Sequence, residues 1–214
     1  MSNEFGYIPE SPEQSFGNNK GIFTPTDIYD LTRADKYTNY GQLELIETQT
    51  VSSVSAVEFT NLQESTYNVH FVTVNDFTIS TSGPASVLMQ VSTNGGTSYV
   101  TSGYQYALQV GSTSGTFVEG RSTSIGSFVL SYNGITNGAN RNHNGYCYIY
   151  NAGDSSKYTF ATSQAMGIYD SVDQMNFGSH IYPTANTVNA FKIFCTSNTI
   201  ATADISLYGI KEYS

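Results

Sequence analysis

Positive charge is scarce in this chain. Lysine and arginine together number 8 against 17 aspartates and glutamates, giving a net charge of −9 and a pI near 4.5. A protein that grips a phosphate backbone needs clustered basic side chains. No run of them occurs, which argues against direct nucleic-acid binding. Charge of either sign is thin, at 12% of residues, where soluble domains carry about 25%. Helical intracellular enzymes, rich in Ala, Leu, Glu and Lys, do not have this composition.

Cysteine is equally sparse. Two residues, Cys147 and Cys195, cannot form the dense framework of a small secreted domain. Both fall in predicted strands and read as free, buried thiols acting as small hydrophobes; a disulfide between strands is the second reading. Tryptophan is absent, and no segment holds 18 consecutive apolar residues, so no membrane-spanning helix is predicted. The stretch Met1–Tyr7 is too polar for a secretory signal. Synthesis in a cytoplasm without an export signal is therefore expected.

What the chain does have is aromatic residues, with 17 Tyr and 12 Phe, set among Ser, Thr, Asn and Gly. Residues 1–40 differ from the rest. They hold Pro9, Pro12 and Pro25 of the 5 prolines, and their apolar residues stand singly: Phe5, Tyr7, Ile8, Phe16, Ile22 and Phe23. Flexible linkers lack aromatics, so this reads as an extended arm whose isolated anchors dock on a surface, in cis or in trans. Thr24-Pro25-Thr26-Asp27 predicts a helix near 25–35: a capping Thr, a Pro at the first helical position and an acid at the third.

From residue 41 to 214 the pattern is β. Val69 and Phe71 alternate with Asn68, His70 and Val72; Val87, Met89 and Val91 recur at period two, as a half-buried strand requires. Asn94-Gly95-Gly96 signals a tight turn. Phe191–Lys211 reads as two strands joined by a Ser-Asn turn, the second alternating Ile205 and Leu207 with Asp204, Ser206 and Tyr208. It is expected to close the sheet and finish the unit. About ten short strands with Gly, Asn and Ser turns predict an all-β, antiparallel, jelly-roll-like β-sandwich.

Catalytic constellations are weak. His70 falls in a strand, His143 in a turn and His180 in an apparent loop; without a nucleophile elbow, all three read as structural, and no catalytic residue is assigned. Asp154, Asp170 and Asp173 read as solvated loop carboxylates, although a glycosidase pair would be built from such acids. No Cys-x-x-Cys or helical His pair marks a metal site, and Asp170–Gln174 lacks the full calcium-loop spacing. Gly111–Gly115 lacks a phosphate-loop lysine. No metal and no cofactor is expected.

Tyr146, Tyr148 and Tyr150 project to one face of one strand. A cross-strand aromatic ladder is the first reading, a protein interface the second and a sugar-binding face the third. Tyr104 and Tyr106 form a weaker stripe.

Three segments carry a family resemblance: Leu43–Thr60; Val91–Tyr99 followed by Ser102–Ala107; and Thr199–Lys211 with Leu207-Tyr208-Gly209-Ile210. Over residues 40–211 the chain resembles structural proteins of tailed-bacteriophage virions. The resemblance implies a non-enzymatic β-sandwich on the particle exterior, a homo-oligomer, expected to be a trimer, in contact with other virion proteins. Capsid decoration through the N-terminal arm is the first expectation. A tail or tail-fibre appendage touching a host surface glycan is the alternative. Apart from the resemblance, a carbohydrate-binding module is the second class of reading, predicting exposed Tyr146, Tyr148 and Tyr150 rings around a groove, and a glycan-degrading enzyme is the third, predicting two acids across a cleft.

Overall fold

A computed structural model describes residues 14–15, 18–19, 24–34, 43–81, 83–138, 140–196 and 198–211. The arm anchors Phe5, Tyr7, Ile8, Phe16, Ile22 and Phe23 lie outside the described residues. The chain divides into two units, residues 1–42 and 43–214. In the first, β1 (Gln14–Ser15) pairs antiparallel with β2 (Asn18–Asn19), and α1 spans Pro25–Arg33. The helix starts where its capping residues dictate. The Asp27 amide donates to Thr24 Oγ1 at 3.2 Å, and the Thr24 amide donates to the Asp27 carboxylate at 2.8 Å, a reciprocal capping box. No described helix is long and apolar enough to cross a membrane.

The second unit is a sandwich of two antiparallel sheets. The strands are β3 (Leu43–Val54), β4 (Ala56–Phe59), β5 (Val69–Ile79), β6 (Ala85–Ser92), β7 (Tyr104–Ser112), β8 (Phe117–Ile125), β9 (Phe128–Ile135), β10 (His143–Tyr150), β11 (Thr159–Tyr169), β12 (Val172–Tyr182), β13 (Ala190–Cys195) and β14 (Ile200–Ile210). One sheet has the order β3-β14-β5-β10-β11-β12-β7-β8; the other has β4-β13-β6-β9. The chain crosses between the sheets at every step except β7 to β8, β10 to β11 and β11 to β12. Strands β3, β4, β5, β6, β9, β10, β13 and β14 alone give two four-stranded sheets in jelly-roll order. Two inserted hairpins, β7-β8 and β11-β12, then widen one sheet beyond β10. That widening positions the candidate site.

The core lies where the alternation places it. Val72, Val74, Phe77, Ile149, Ile205 and Leu207 of the large sheet face Val57, Phe59, Met89, Val91, Phe191 and Ile193 of the small one, all buried. Phe59 stacks on Phe191 at 5.0 Å. Cys147 and Cys195 are both buried and free. Burial pushes the Cys147 thiol up to about 12 and Cys195 to about 11.

Gly209 carries a steric demand. The Tyr67 ring sits over it, so a Cβ at 209 would overlap the ring, while the Tyr67 hydroxyl donates to Glu44 Oε2 at 2.5 Å. Gly209→Ala should displace that ring and destabilise the sandwich by about 1–3 kcal/mol, lowering the melting temperature by roughly 2–10 °C. An unchanged melting curve would mean that the ring relocates at no cost.

The structure departs from the sequence expectations at several elements. The sequence pattern predicts strands at Tyr99–Val100, Leu43–Thr48 and Val51–Asn61; the first is absent, and the other two are replaced by Leu43–Val54 and Ala56–Phe59. Asp173 and Gly178–Ile181, expected in loops, belong to the full-length strand β12 (Val172–Tyr182). Asp173 and His180 therefore sit on a strand, and His143 opens β10 rather than a turn. β12 hides its identity because its burial is inverted. Its apolar Met175 and Phe177 face out, while Asn176 and His180 are buried. The polar residues turn inward because β9 crosses beneath this part of the sheet. The Tyr132 amide of β9 donates to Asn176 Oδ1 at 3.0 Å, and Ser163 Oγ on β11 lies 3.4 Å from the Leu130 carbonyl and 2.9 Å from His180 Nε2.

Candidate functional site

The outer face of the widened sheet is a grid whose rows follow from strand register. Directly opposed residues on neighbouring strands project to the same face. One row runs Tyr146, Gln164, Phe177, Gln109, Glu119. The next runs Tyr148, Thr162, Ser179, Ala107, Arg121, and the third runs Tyr150, Phe160, Ile181, Gln105. The outer two rows carry long side chains at their centres, and the middle row carries Thr, Ser and Ala. Short residues between two ridges make a channel across the strands. It spans four strand-to-strand steps, about 19 Å.

This channel holds two adjoining depressions, of about 800 Å³ beside the first row and about 640 Å³ beside the third. Ala107, Arg121, Tyr150, Thr162 and Ser179 line both, so they form one groove. The structure places all three tyrosines of the sequence stripe along its β10 end. Tyr146 is 40% exposed, and Tyr148 and Tyr150 are half-buried. Their rings touch in series, at 6.0 Å for Tyr146–Tyr148 and 6.3 Å for Tyr148–Tyr150. Phe71 of β5 backs them, 4.7 Å from Tyr148. An aromatic ladder and a groove wall are thus the same residues. Tyr146 donates its hydroxyl to Gln164 Oε1 at 2.7 Å, which fixes the rim.

The groove offers apolar ring faces at one end, hydroxyls and amides along its floor and ridges, and one carboxylate and one guanidinium at the other end. Glu119 and Arg121 supply those charges from β8. Sequence reasoning missed every groove residue except the tyrosines. Thr162, Ser179 and Ala107 have no signal of their own; only the register of four separate pairings aligns them.

The histidines face the core. His70 is fully buried, and Nε2 lies 2.8 Å from the Leu62 carbonyl; desolvation holds its pKa below the ordinary value. His143 and His180 are each 2% exposed, and burial pushes both down to about 4. Asp154 is engaged by its own loop: Ser156 N–H and Oγ donate to it at 2.9 and 2.6 Å, and Lys157 Nζ lies 2.8 Å away. Those contacts hold its carboxyl well below the usual range. Asp170 sits at the β11–β12 turn with φ 44°, and Asp173 is exposed on β12. Among the described residues no three His, Cys, Asp or Glu side chains cluster to hold a metal.

No known protein family matches the sequence, and no curated protein does. Two solved structures show a distant likeness. One is the CBM2 module of the evolved Dit of Lactobacillus casei BL23 phage J-1, at TM-score 0.26 and 11% identity, over 74% of this chain and 70% of that one. The other is the protein of unknown function SO2946 from Shewanella oneidensis MR-1, at TM-score 0.27 and 11% identity, over 92% of this chain and 99% of that one. Likeness at this level carries no functional argument.

Proposed function

We propose that the protein is a non-catalytic, glycan-binding β-sandwich on the exterior of a bacteriophage particle, where it contacts the host surface. The observation that carries the binding role is the groove, a channel with a tyrosine wall, a hydroxyl-bearing floor and amide-bearing ridges. A sugar ring has an apolar face and a polar edge. Tyrosine offers a flat body with a polar tip, and a concave site with a few placed polar groups fixes orientation. The virion placement is supported by the resemblance carried by Leu43–Thr60, Val91–Ala107 and Thr199–Lys211.

Binding without hydrolysis is favoured by the groove's acids. Glycosidases use two carboxyls about 5–10 Å apart, and the described groove lining brings one, Glu119. Capsid decoration, the first expectation from sequence, depends on arm anchors outside the described residues. The groove favours the appendage reading over it. A trimer would present three grooves and multiply weak single-site affinity through avidity.

Immobilised bacterial and algal polysaccharides should retain the full-length protein, and soluble oligomers of the retained glycan should displace it. The glycan should be recovered with its chain length unchanged. Absence of retention across a broad polysaccharide panel would refute the binding role; shortened glycan would refute the non-catalytic one. Copy number on purified particles separates the placements. Tens of copies or fewer fit an appendage, and hundreds fit a capsid decoration.

A further inference from the structure

The described sandwich carries five cations, and four of them have partners. Arg141 donates to Thr136 Oγ1 at 3.1 Å and to Ser171 Oγ at 2.9 Å. Lys157 pairs with Asp154 at 2.8 Å. Lys192 sits 4.6 Å from the Tyr99 ring centroid. Lys211 reaches Glu44 at 3.5 Å. Arg121 differs: among the described residues its guanidinium has no ion pair, hydrogen bond or ring contact. It is also the residue that closes the middle row of the groove and lines both depressions.

We infer that the groove selects a linear glycan bearing an acidic substituent, and that Arg121 is the specificity-determining residue that takes its anionic group. This rests on the glycan-binding reading above. A guanidinium is a planar fork of donors matched to a carboxylate or an ester oxyanion. In a protein of net charge −9, a free arginine in a groove is a local exception to a field that otherwise repels anions.

The geometry also limits how acidic the glycan can be. Glu119 stands two residues from Arg121 on the same face of β8, opposite Gln109 in the adjoining row. A second anionic group one step along that edge would meet Glu119. The groove therefore fits a chain whose acidic groups are spaced by neutral sugars, with the neutral part lying over Ala107, Ser179 and Thr162 toward Tyr148. A uniformly charged polyanion fits poorly.

The test uses the full-length protein and pairs of polysaccharides that differ only in charge: a uronate-containing glycan and its methyl ester, and a sulfated glycan and its desulfated form. The wild type should bind the charged member of one pair more tightly, and rising salt should weaken that binding. Which pair responds identifies a carboxylate or a sulfate as the anion. Arg121→Gln should weaken binding of the charged member by about ten- to a hundredfold while sparing the neutral one. Glu119→Gln should leave it intact or improve it, most for the more densely charged glycans. Both side chains are exposed, and unchanged melting curves will verify folding. Equal binding of charged and neutral members, or an Arg121→Gln protein that binds as the wild type does, would overturn the selectivity inference while leaving glycan binding in place. No binding of either member of any pair would overturn both.

Discussion

Tyr148→Ala should reduce glycan affinity on the order of a hundredfold, as loss of a central aromatic anchor does at a binding hot spot. Tyr148 is the middle ring of the wall, in contact with Tyr146, Tyr150 and Phe71. It also begins the row that forms the groove floor. Removing it takes away one apolar platform and loosens the rings on either side. Because it is half-buried, the alanine protein could also lose stability, so two further variants separate the causes. Tyr148→Phe keeps the ring and should retain most of the affinity. Ala107→Trp leaves the aromatic wall untouched but fills the exposed centre of the floor, and it should block binding as completely as the alanine. Calorimetric titration with the retained oligosaccharide reads all three. Affinity unaffected by Ala107→Trp would place the binding site elsewhere on the molecule.

The second large effect is acid lability. His143 and His180 are neutral in the fold, with pKa values pushed by burial to about 4, while an unfolded histidine titrates near 6.5. The unfolded chain therefore binds protons that the fold excludes. Their contribution is fully present above about pH 6.5 and is lost as the pH falls toward 4. The shift corresponds to about 3 kcal/mol for each histidine, against a total stability of about 5–15 kcal/mol for a typical domain. His70, shifted in the same direction, adds to the loss. Urea denaturation at half-unit steps should show stability falling steeply between pH 6.5 and 4. Asp154 contributes in a separate window. Its pKa is depressed in the fold, so its contribution persists down to about pH 4 and disappears below that. A stability profile that stays flat from pH 7 to 4.5 would contradict the buried neutral histidines.

Local patterns in the sequence predict the parts of the fold that local geometry decides. The capping box at Thr24 and Asp27, the buried pair Ile205 and Leu207, and the common face of Tyr146, Tyr148 and Tyr150 each depend on residues within a few positions of one another. β12 was hidden because tertiary context reversed its pattern: the crossing of β9 drew Asn176 and His180 inward and left Met175 and Phe177 outside. The groove was illegible for a different reason. Its floor joins Thr162, Ser179, Ala107 and Arg121 from four strands, and small or polar residues of that kind occur in any β-rich chain. Only the pairing register makes them a row, and register is a non-local property set by the turns and the buried face.

The two free thiols provide a built-in readout of how the sandwich comes apart. Cys147 lies in the large sheet and Cys195 in the small one, each shielded and held as an unreactive thiol. Both side chains belong to the one core between the sheets, so a thiol reagent added to the native protein can modify either only when its part of that core opens. If both labels appear with one time constant, the sheets separate as a single cooperative body. If Cys195 reacts first, the end of β13 opens while the core around Cys147 stays closed. The protein then reports its own order of disassembly without any engineered probe.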